Sequence, residues 1–272
     1  MYVKTRHQLL VHFGYDGARF HGLQPQKDVH TAGAAMRSRL ESAAGERARA
    51  LNFAARTDTG VHAIRNLATC YFVGEIDLQS VQKQLEERRD DGLTNVRSFW
   101  VDRHVHARGS ARGKRYRYLV DDCTDGTPSS PYSWRIVPTL DAKAMQEAAS
   151  HFVGTHDFRA FCSNGSTTKN TTKFLASVRI GGPFPLPTGG RRFLIEITGT
   201  AFLRKMIRIM VGTMVEIGAK LRRPDDIKRI LETEQRRYAG LTAPPQGLTL
   251  VEVGCAWPED GSAEIKELSG VL

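Results

Sequence analysis

The sequence predicts an α+β fold in which helices cover one face of mostly antiparallel sheets. Three observations support this prediction: strand patterns occur in pairs with helices between them, both halves of the chain have similar element orders, and 272 residues suffice for one large or two modest domains. The composition, 40% hydrophobic and 25% charged residues, is typical of globular proteins and excludes a disordered chain. We therefore expect two similar halves built on a duplicated sheet.

The first half begins with apolar residues at alternating positions, which predicts a strand at residues 9–15. Asp16 and Gly17 then predict a turn. Residues 31–44 show helical spacing, and Gly45 is a plausible stop. The other elements expected in this half are strands at 49–54 and 67–73, a helix at 78–85 and a strand at 97–101.

The second half follows a similar order. A strand is expected at residues 114–120, and a helix at 141–152 is ended by Gly154. Two strands, at 178–180 and 192–198, flank a loop rich in glycine and proline. Residues 202–217 have the i, i+3, i+4 spacing of a helix with one apolar side. A short helix after Pro224 and a strand at 248–253 complete the prediction.

The turn-rich stretch from Asp102 to Gly113 is the best candidate for a domain boundary. We expect an N-terminal half of residues 1–107 and a C-terminal half of residues 108–272.

The chain carries 39 lysine and arginine residues against 29 aspartate and glutamate residues, a net charge of +10. This excess favours a polyanionic partner, because each cation that neutralises a phosphate releases condensed counterions. Nucleic acid, an anionic membrane surface and the absence of a specific partner all remain open at this point.

Other classes of protein are disfavoured. No stretch approaches the ~20 apolar residues of a membrane span, and the first residues lack the features of a secretory signal. We expect a cytoplasmic protein, or one of an organelle matrix if the source is eukaryotic. The four cysteines lie too far apart for a zinc site or a disulfide framework. We also find no phosphate-binding glycine loop and no nucleophile-elbow serine, so chemistry without a cofactor or metal, using a carboxylate, remains.

The most unusual local string is RTDTGVHA at residues 56–63, between two predicted strands. Gly60 permits a positive φ, so a turn here can lift the Asp58 carboxylate off the strand end. Arg56 and His62 supply nearby donors. Because such a string is more often a simple turn, the residues alone leave structural and catalytic interpretations open.

Two further segments are basic. In the strand from Lys114 to Tyr118, cations and aromatic rings alternate, so stacked bases and bound phosphates are one interpretation and tyrosines that face the core are the other. On the predicted helix at 202–217, three cations lie away from the apolar side: Arg204, Lys205 and Arg208. They form either a solvated surface or, at Arg208, the partner of a carboxylate.

The string at residues 56–63 is similar to the signature GRTDAGVHA of the TruA-type tRNA pseudouridine synthases. The resemblance extends over about residues 8 to 257. It continues, in chain order, through Tyr15-Asp16-Gly17, Phe20, Gly22, Gln24, His106-Ala107-Arg108, residues 114–118, Gly154-Thr155-His156-Asp157-Phe158, Phe161, residues 202–208, Val211-Gly212 and Gly247-Leu248.

This resemblance implies an enzyme that isomerises uridine to pseudouridine in the anticodon arm of tRNA, without cofactor or metal. It implies a continuous sheet floor under both halves, an active-site cleft between them, and a homodimer that grips the tRNA. Residue by residue, Asp58 resembles the nucleophile, Tyr116 the aromatic residue that stacks on the target base, Leu248 the residue lining the uracil pocket, and Arg56 and Arg208 the basic residues around the carboxylate. The nucleophile loop thus belongs to the N-terminal half.

We further expect an RNA-facing surface that includes Arg115, Arg117, Arg204 and Lys205. The sequence departs from the family pattern at Leu23, at Ala32-Gly33, at Thr59 and within residues 85–95. These departures affect RNA contacts rather than the nucleophile loop. The alternatives are a noncatalytic RNA-binding or assembly factor on the same scaffold, and an enzyme that modifies another RNA.

Overall fold

A computed structural model describes residues 6–123, 130–137, 139–187 and 189–255 of the chain. These residues contain a sheet of ten strands. The strands are β1 (Arg6–Tyr15), β2 (Arg49–Phe53), β3 (His62–Val73), β4 (Leu93–Val101), β5 (Ala111–Asp122), β6 (Trp134–Ile136), β7 (Gly154–Asp157), β8 (Thr172–Pro185), β9 (Arg191–Gly199) and β10 (Leu248–Cys255). The helices are α1 (Ala32–Ala44), α2 (Leu78–Glu86), α3 (Ala142–Ser150), α4 (Met206–Gly218) and α5 (Asp226–Thr233).

The sheet is continuous across both halves of the chain. Its strand order is β4-β1-β3-β10-β5-β9-β8-β7, with β2 paired to β3 and β6 paired to β5. The last strand, β10, lies between the two halves, parallel to β3 and antiparallel to β5. Most of the other pairs are antiparallel, so the predicted α+β class and continuous floor are confirmed. The expected boundary at residue 107 falls between β4 and β5, and the division into domains stays a prediction.

One face of the sheet is covered by helices. In β5, Tyr116, Tyr118 and Val120 point to this face and are buried, while the intervening side chains point to the other face. Helix α3 packs on β8 and on α4, and α2 packs on β4 and on α1. Among the helices of the described residues, none combines the length and hydropathy needed to cross a bilayer.

Local signals set the elements that the sequence predicts well. Helix α1 begins after Thr31, whose hydroxyl accepts a hydrogen bond from the Ala34 amide, and ends at Gly45 in the left-handed conformation (φ 61°). The side chains of Met36 and Leu40 are buried on one side of the helix. Both ends agree with the prediction because each is fixed by a residue within the helix or next to it.

The structure differs from the prediction at several elements. Strand β8 covers fourteen residues where three were expected, since glycines and exposed charges interrupt its apolar pattern. Strands β6 and β7, three and four residues long, were missed. Helix α4 begins at Met206, not at Phe202, because Lys205 takes a left-handed conformation (φ 59°). Arg204 and Lys205 therefore precede the helix, and the expected cationic strip along it is wrong.

Candidate active site

A cavity of about 990 Å³ opens on the helix-covered face and is lined by residues of both halves. Among the described residues, its lining includes one carboxylate, that of Asp58, and seven cationic side chains. These are Arg37, Arg56, Arg108, Lys114, Arg204, Lys205 and Arg208. The cavity is thus strongly basic around a single acid, and an anionic ligand is favoured there.

The loop that carries Asp58 connects β2 to β3 and is held on both sides. Gly60 has φ +78°, and the Val61 amide donates to the Asp58 carbonyl at 3.1 Å, which closes the predicted turn. The Tyr15 hydroxyl is 2.7 Å from the Thr57 hydroxyl, and the Leu23 amide donates to the Thr57 carbonyl at 3.2 Å. The position of the carboxylate is therefore fixed by β1 and by the segment that follows it.

Asp58 is paired with Arg208 on the first turn of α4. The guanidinium Nη1 of Arg208 lies 3.1 Å from Oδ2 of Asp58, with side-chain exposures of 11% and 34% respectively. Nε of Arg208 donates to the Ala243 carbonyl at 2.7 Å, and the Ala243 amide donates back to the Arg208 carbonyl at 3.0 Å. The backbone thus orients the guanidinium, which in turn holds one oxygen of the Asp58 carboxylate while the side chain stays partly open to the cavity.

The two tyrosines of β5 have different environments. Tyr116 lines the cavity, and its ring meets Phe202 edge to face at a centroid distance of 5.2 Å. Burial, and then the proximity of Tyr15 and Asp58, raises the pKa of Tyr116, so its hydroxyl stays protonated. Tyr118 instead donates to the Pro244 carbonyl at 2.7 Å within the core. The predicted stacking residue therefore lies at the cavity, which Leu248 also lines.

Arg115 and Arg117 are not brought to this cavity. They alternate with the tyrosines and point to the opposite face of the sheet. Arg115 lies 2.7 Å from Glu252 and 3.9 Å from Glu196, and Arg117 lies 3.7 Å from Glu196. Their contact with RNA stays a prediction, and it would have to be made on that other face. Arg56, Arg204, Lys205, Arg208 and Leu248, by contrast, all line the cavity with Asp58 and Tyr116.

Comparisons with known proteins point to one family. A family model described as tRNA pseudouridine synthase matches residues 148–254. A protein named tRNA pseudouridine synthase A from Acetivibrio thermocellus is 37% identical over 240 residues, covering 88% of this chain and 96% of the relative. Its counterparts from Pseudothermotoga lettingae (36% identity, 88% and 96% covered) and Myxococcus xanthus (33% identity, 88% and 88% covered) give the same result. The chain belongs to the tRNA pseudouridine synthase family.

Sequence reasoning missed three cations in the cavity of this pseudouridine synthase: Arg37, Arg108 and Lys114. Burial, together with the charge of Arg108, lowers the pKa of Lys114. The sequence could have predicted that Lys114 lies at the cavity, because Lys114 is two residues from Tyr116 and the two side chains therefore lie on the same face of the strand. Arg108 lies within a stretch that resembles the family but suggested no role. Arg37 gave no signal, since it lies on the predicted helix among ordinary polar residues.

His62 is close to the loop but is not part of the cavity lining. Its Nδ1 accepts from the Gly17 amide at 3.0 Å and lies 3.0 Å from Oδ1 of Asp16. Burial lowers the pKa of this imidazole, although Asp16 opposes that effect. His62 therefore connects the turn after β1 to the start of β3 in this pseudouridine synthase, rather than supplying a donor to the cavity.

Within the described ranges, no group of three or more histidine, cysteine, aspartate or glutamate side chains is arranged to hold a metal ion.

Proposed function

We propose that this protein isomerises uridine to pseudouridine in the anticodon arm of tRNA, with the Asp58 carboxylate as nucleophile. The observation that supports this proposal most strongly is the pairing of Asp58 with Arg208 at 3.1 Å, as the single acid of a cavity with seven cations. A carboxylate nucleophile must be aimed at its target, and this pairing orients the Asp58 carboxylate.

The reaction needs no change of oxidation state. The bond between C1′ of the ribose and N1 of uracil breaks, the base turns, and C5 of uracil bonds to C1′. The hydrogen lost from C5 is balanced by the proton that N1 gains. Asp58 would attack C1′ as the bond from C1′ to N1 breaks, and the bond between Asp58 and C1′ would break in turn when C5 attacks C1′. The cavity would keep the detached base from leaving in between.

The target uridine must leave its stack to reach Asp58, which costs a few kcal/mol. Stacking on an aromatic ring is worth about 1–3 kcal/mol, so the ring of Tyr116 would offset part of this cost. Leu248 would cover the apolar part of the base beside that ring. Arg56, Arg204 and Lys205 would hold flanking phosphates, which positions the RNA without reading its sequence.

The proposal includes a cytoplasmic homodimer as the working form. This part is supported by the family resemblance. Light scattering of the purified protein, alone and with tRNA, tests it directly: a mass of one chain in both samples would contradict it.

The decisive experiment compares Asp58→Ala with the wild-type protein on a tRNA transcript. We expect no pseudouridine from the variant, while its affinity for tRNA stays equal or rises slightly because an acid is removed from a basic cavity. Asp90→Ala is the matched control, since Asp90 is an exposed carboxylate that pairs with Arg19 outside the cavity. Wild-type rates from Asp58→Ala would overturn the assignment of the nucleophile.

The position of the product tests the substrate. Transcripts in which cytidine replaces the uridines of the anticodon arm should yield no pseudouridine. Product elsewhere in the tRNA, or only in another RNA, would contradict the proposed target.

A further inference from the structure

A second basic groove adjoins the cavity along strand β2. It has a volume of about 430 Å³ and is lined by three arginines, Arg37, Arg47 and Arg49, with Ala48, Ala50 and Leu51. Arg37 and Leu51 also line the main cavity. The two volumes are therefore neighbours that share these two side chains.

Two of the groove arginines lie near glutamates, and both ion pairs are exposed and weak. Arg37 donates through Nη1 to Oε1 of Glu41 at 3.3 Å and to the Ala48 carbonyl at 3.0 Å. Glu41 also accepts from the Ala48 amide at 3.2 Å, so the guanidinium is held at the wall of the groove. Arg49 is 4.0 Å from Glu46. Exposed pairs of this kind contribute little to stability, and a phosphate can displace the carboxylate at small cost.

The backbone of β2 is irregular at the same place. The pairing of β2 with β3 shifts between Arg49 and Asn52, so β2 has one extra residue there. Ala50 has φ +47°, a left-handed conformation that is unfavourable for a residue with a Cβ. Strained backbone of this kind often occurs at ligand-binding sites, and here it lies in the wall of the groove next to Arg49.

We propose that the groove formed by Arg37, Arg47 and Arg49 beside β2 binds the phosphate backbone of the RNA that enters the Asp58 cavity. This inference rests on the proposed function for the identity of the ligand, and it adds a surface on which the RNA continues beyond the reacting nucleotide. Of the residues that the structure describes, those lining the groove include arginines, whose planar forks suit phosphate oxygens, and no aromatic ring on which a base would stack. It therefore contacts phosphates and does not select bases.

The test is the double variant Arg47→Ala with Arg49→Ala, which leaves Arg37 in the cavity wall. The affinity for a tRNA transcript is measured at salt concentrations from about 50 to about 300 mM, a range over which counterion release changes the affinity strongly. Two lost phosphate contacts should reduce the slope of log K against log salt by about 1.4 to 1.8. We expect a higher KM for tRNA and an unchanged kcat, because neither residue lines the Asp58 cavity.

A matched control removes the same charge elsewhere. Lys228→Ala with Arg229→Ala, on α5, also deletes two exposed cations that pair with carboxylates three residues before them. The control should keep the wild-type slope. A variant with lysine at both groove positions should keep most of the slope as well, since charge rather than fork geometry dominates counterion release.

Each outcome is informative. A reduced slope in the groove variant alone supports the proposal. A wild-type slope in that variant, or an equal loss in the control, overturns it. Pseudouridine formation by the wild-type protein is scored separately, so a failure of the proposed function shows as absent product and a failure of the groove shows as an unchanged slope.

Discussion

The two faces of strand β5 differ in how their cations are paired. On the cavity face, Lys114 lies beside Arg108, and the lining as a whole has seven cations for the one carboxylate of Asp58. On the opposite face, Arg115 and Arg117 each lie within 4.0 Å of a glutamate. Neighbouring residues of one strand therefore belong to surfaces of very different net charge.

This difference shows why a basic motif alone does not locate a nucleic-acid surface. A half-buried cation held by a half-buried carboxylate, as Arg115 is by Glu252, attracts RNA only weakly, because the carboxylate cancels its field at short range. An exposed pair, such as Arg49 with Glu46, is loose enough for a phosphate to replace the carboxylate. Two of the seven cations around Asp58 are paired with carboxylates, Arg208 with Asp58 and Arg37 with Glu41, but the lining as a whole keeps a large positive excess. We therefore expect substitutions on the cavity face to change activity and affinity, and substitutions on the opposite face to change stability.

Arg208→Ala tests this comparison with the largest expected effect. The substitution removes the hydrogen bonds to Asp58 and to the Ala243 carbonyl, so the carboxylate loses its orientation. A hydrogen bond to a charged group is worth about 1.5–3 kcal/mol, which predicts a fall in kcat on the order of 100-fold. Steady-state kinetics on tRNA measure it, and KM should change little.

The control is an arginine–aspartate pair on the opposite face of the sheet, formed between β9 and β5. Arg192 binds Asp121 on the opposite face through two bonds of 2.7 and 2.9 Å, and the Asp121 side chain is fully buried. Arg192→Ala should lower the unfolding midpoint and leave the kcat of the folded protein unchanged. A loss of kcat in Arg192→Ala equal to that in Arg208→Ala would refute the distinction between the faces.

The parts of the fold that sequence predicted well are those with local causes. Helix α1 has its hydroxyl cap at Thr31 and its left-handed stop at Gly45, and both signals are contained in the chain itself. The start of α4 is different. Lys205, just before the helix, takes a left-handed conformation, and neither lysine nor the residues next to it predict that conformation. The short strands β6 and β7 exist because β5 and β8 offer partners, which no local pattern reveals.

The site residues also fall into those that the sequence predicted and those that depend on distant contacts. Resemblance to the family identified Asp58, Tyr116 and Arg208, and the structure places all three at one cavity. The distribution of the remaining cations between two faces depends on strand register and on which glutamates lie opposite. Glu252 reaches Arg115 only because β10 crosses from the end of the chain and has a bulge before that residue. That contact spans 137 positions and could not be read from the sequence.

Tyr116→Ala, on the cavity face of β5, should have the second-largest effect on activity. Loss of the ring should lower kcat/KM on the order of tenfold, because stacking on a base is worth about 1–3 kcal/mol. Tyr116→Phe should stay close to the wild type, since it keeps the ring. Tyr118→Phe, which loses only a core hydrogen bond to Pro244, should reduce stability by about 1 kcal/mol without changing kcat/KM. Equal rates for Tyr116→Ala and Tyr116→Phe would argue against stacking.

The smallest effects separate the two faces most directly. Lys114→Gln and Arg115→Gln each remove one positive charge from adjacent positions of β5. Lys114→Gln should weaken tRNA binding about threefold and lower the salt slope by roughly 0.7 to 0.9, the value for one phosphate contact.

Arg115→Gln should leave both affinity and salt slope unchanged, because its charge is already balanced by Glu252 and Glu196. Arg115→Gln should instead lower the free energy of unfolding by about 1 kcal/mol, as expected for a half-buried pair. In a double-mutant cycle, adding Glu252→Gln should restore part of that loss, because it removes the carboxylate left without its partner. Affinity measured for both single variants at several salt concentrations decides the matter. If Arg115→Gln lowers the slope as much as Lys114→Gln does, the RNA also contacts the opposite face of the sheet, and the pairing of cations with glutamates does not predict which surface binds.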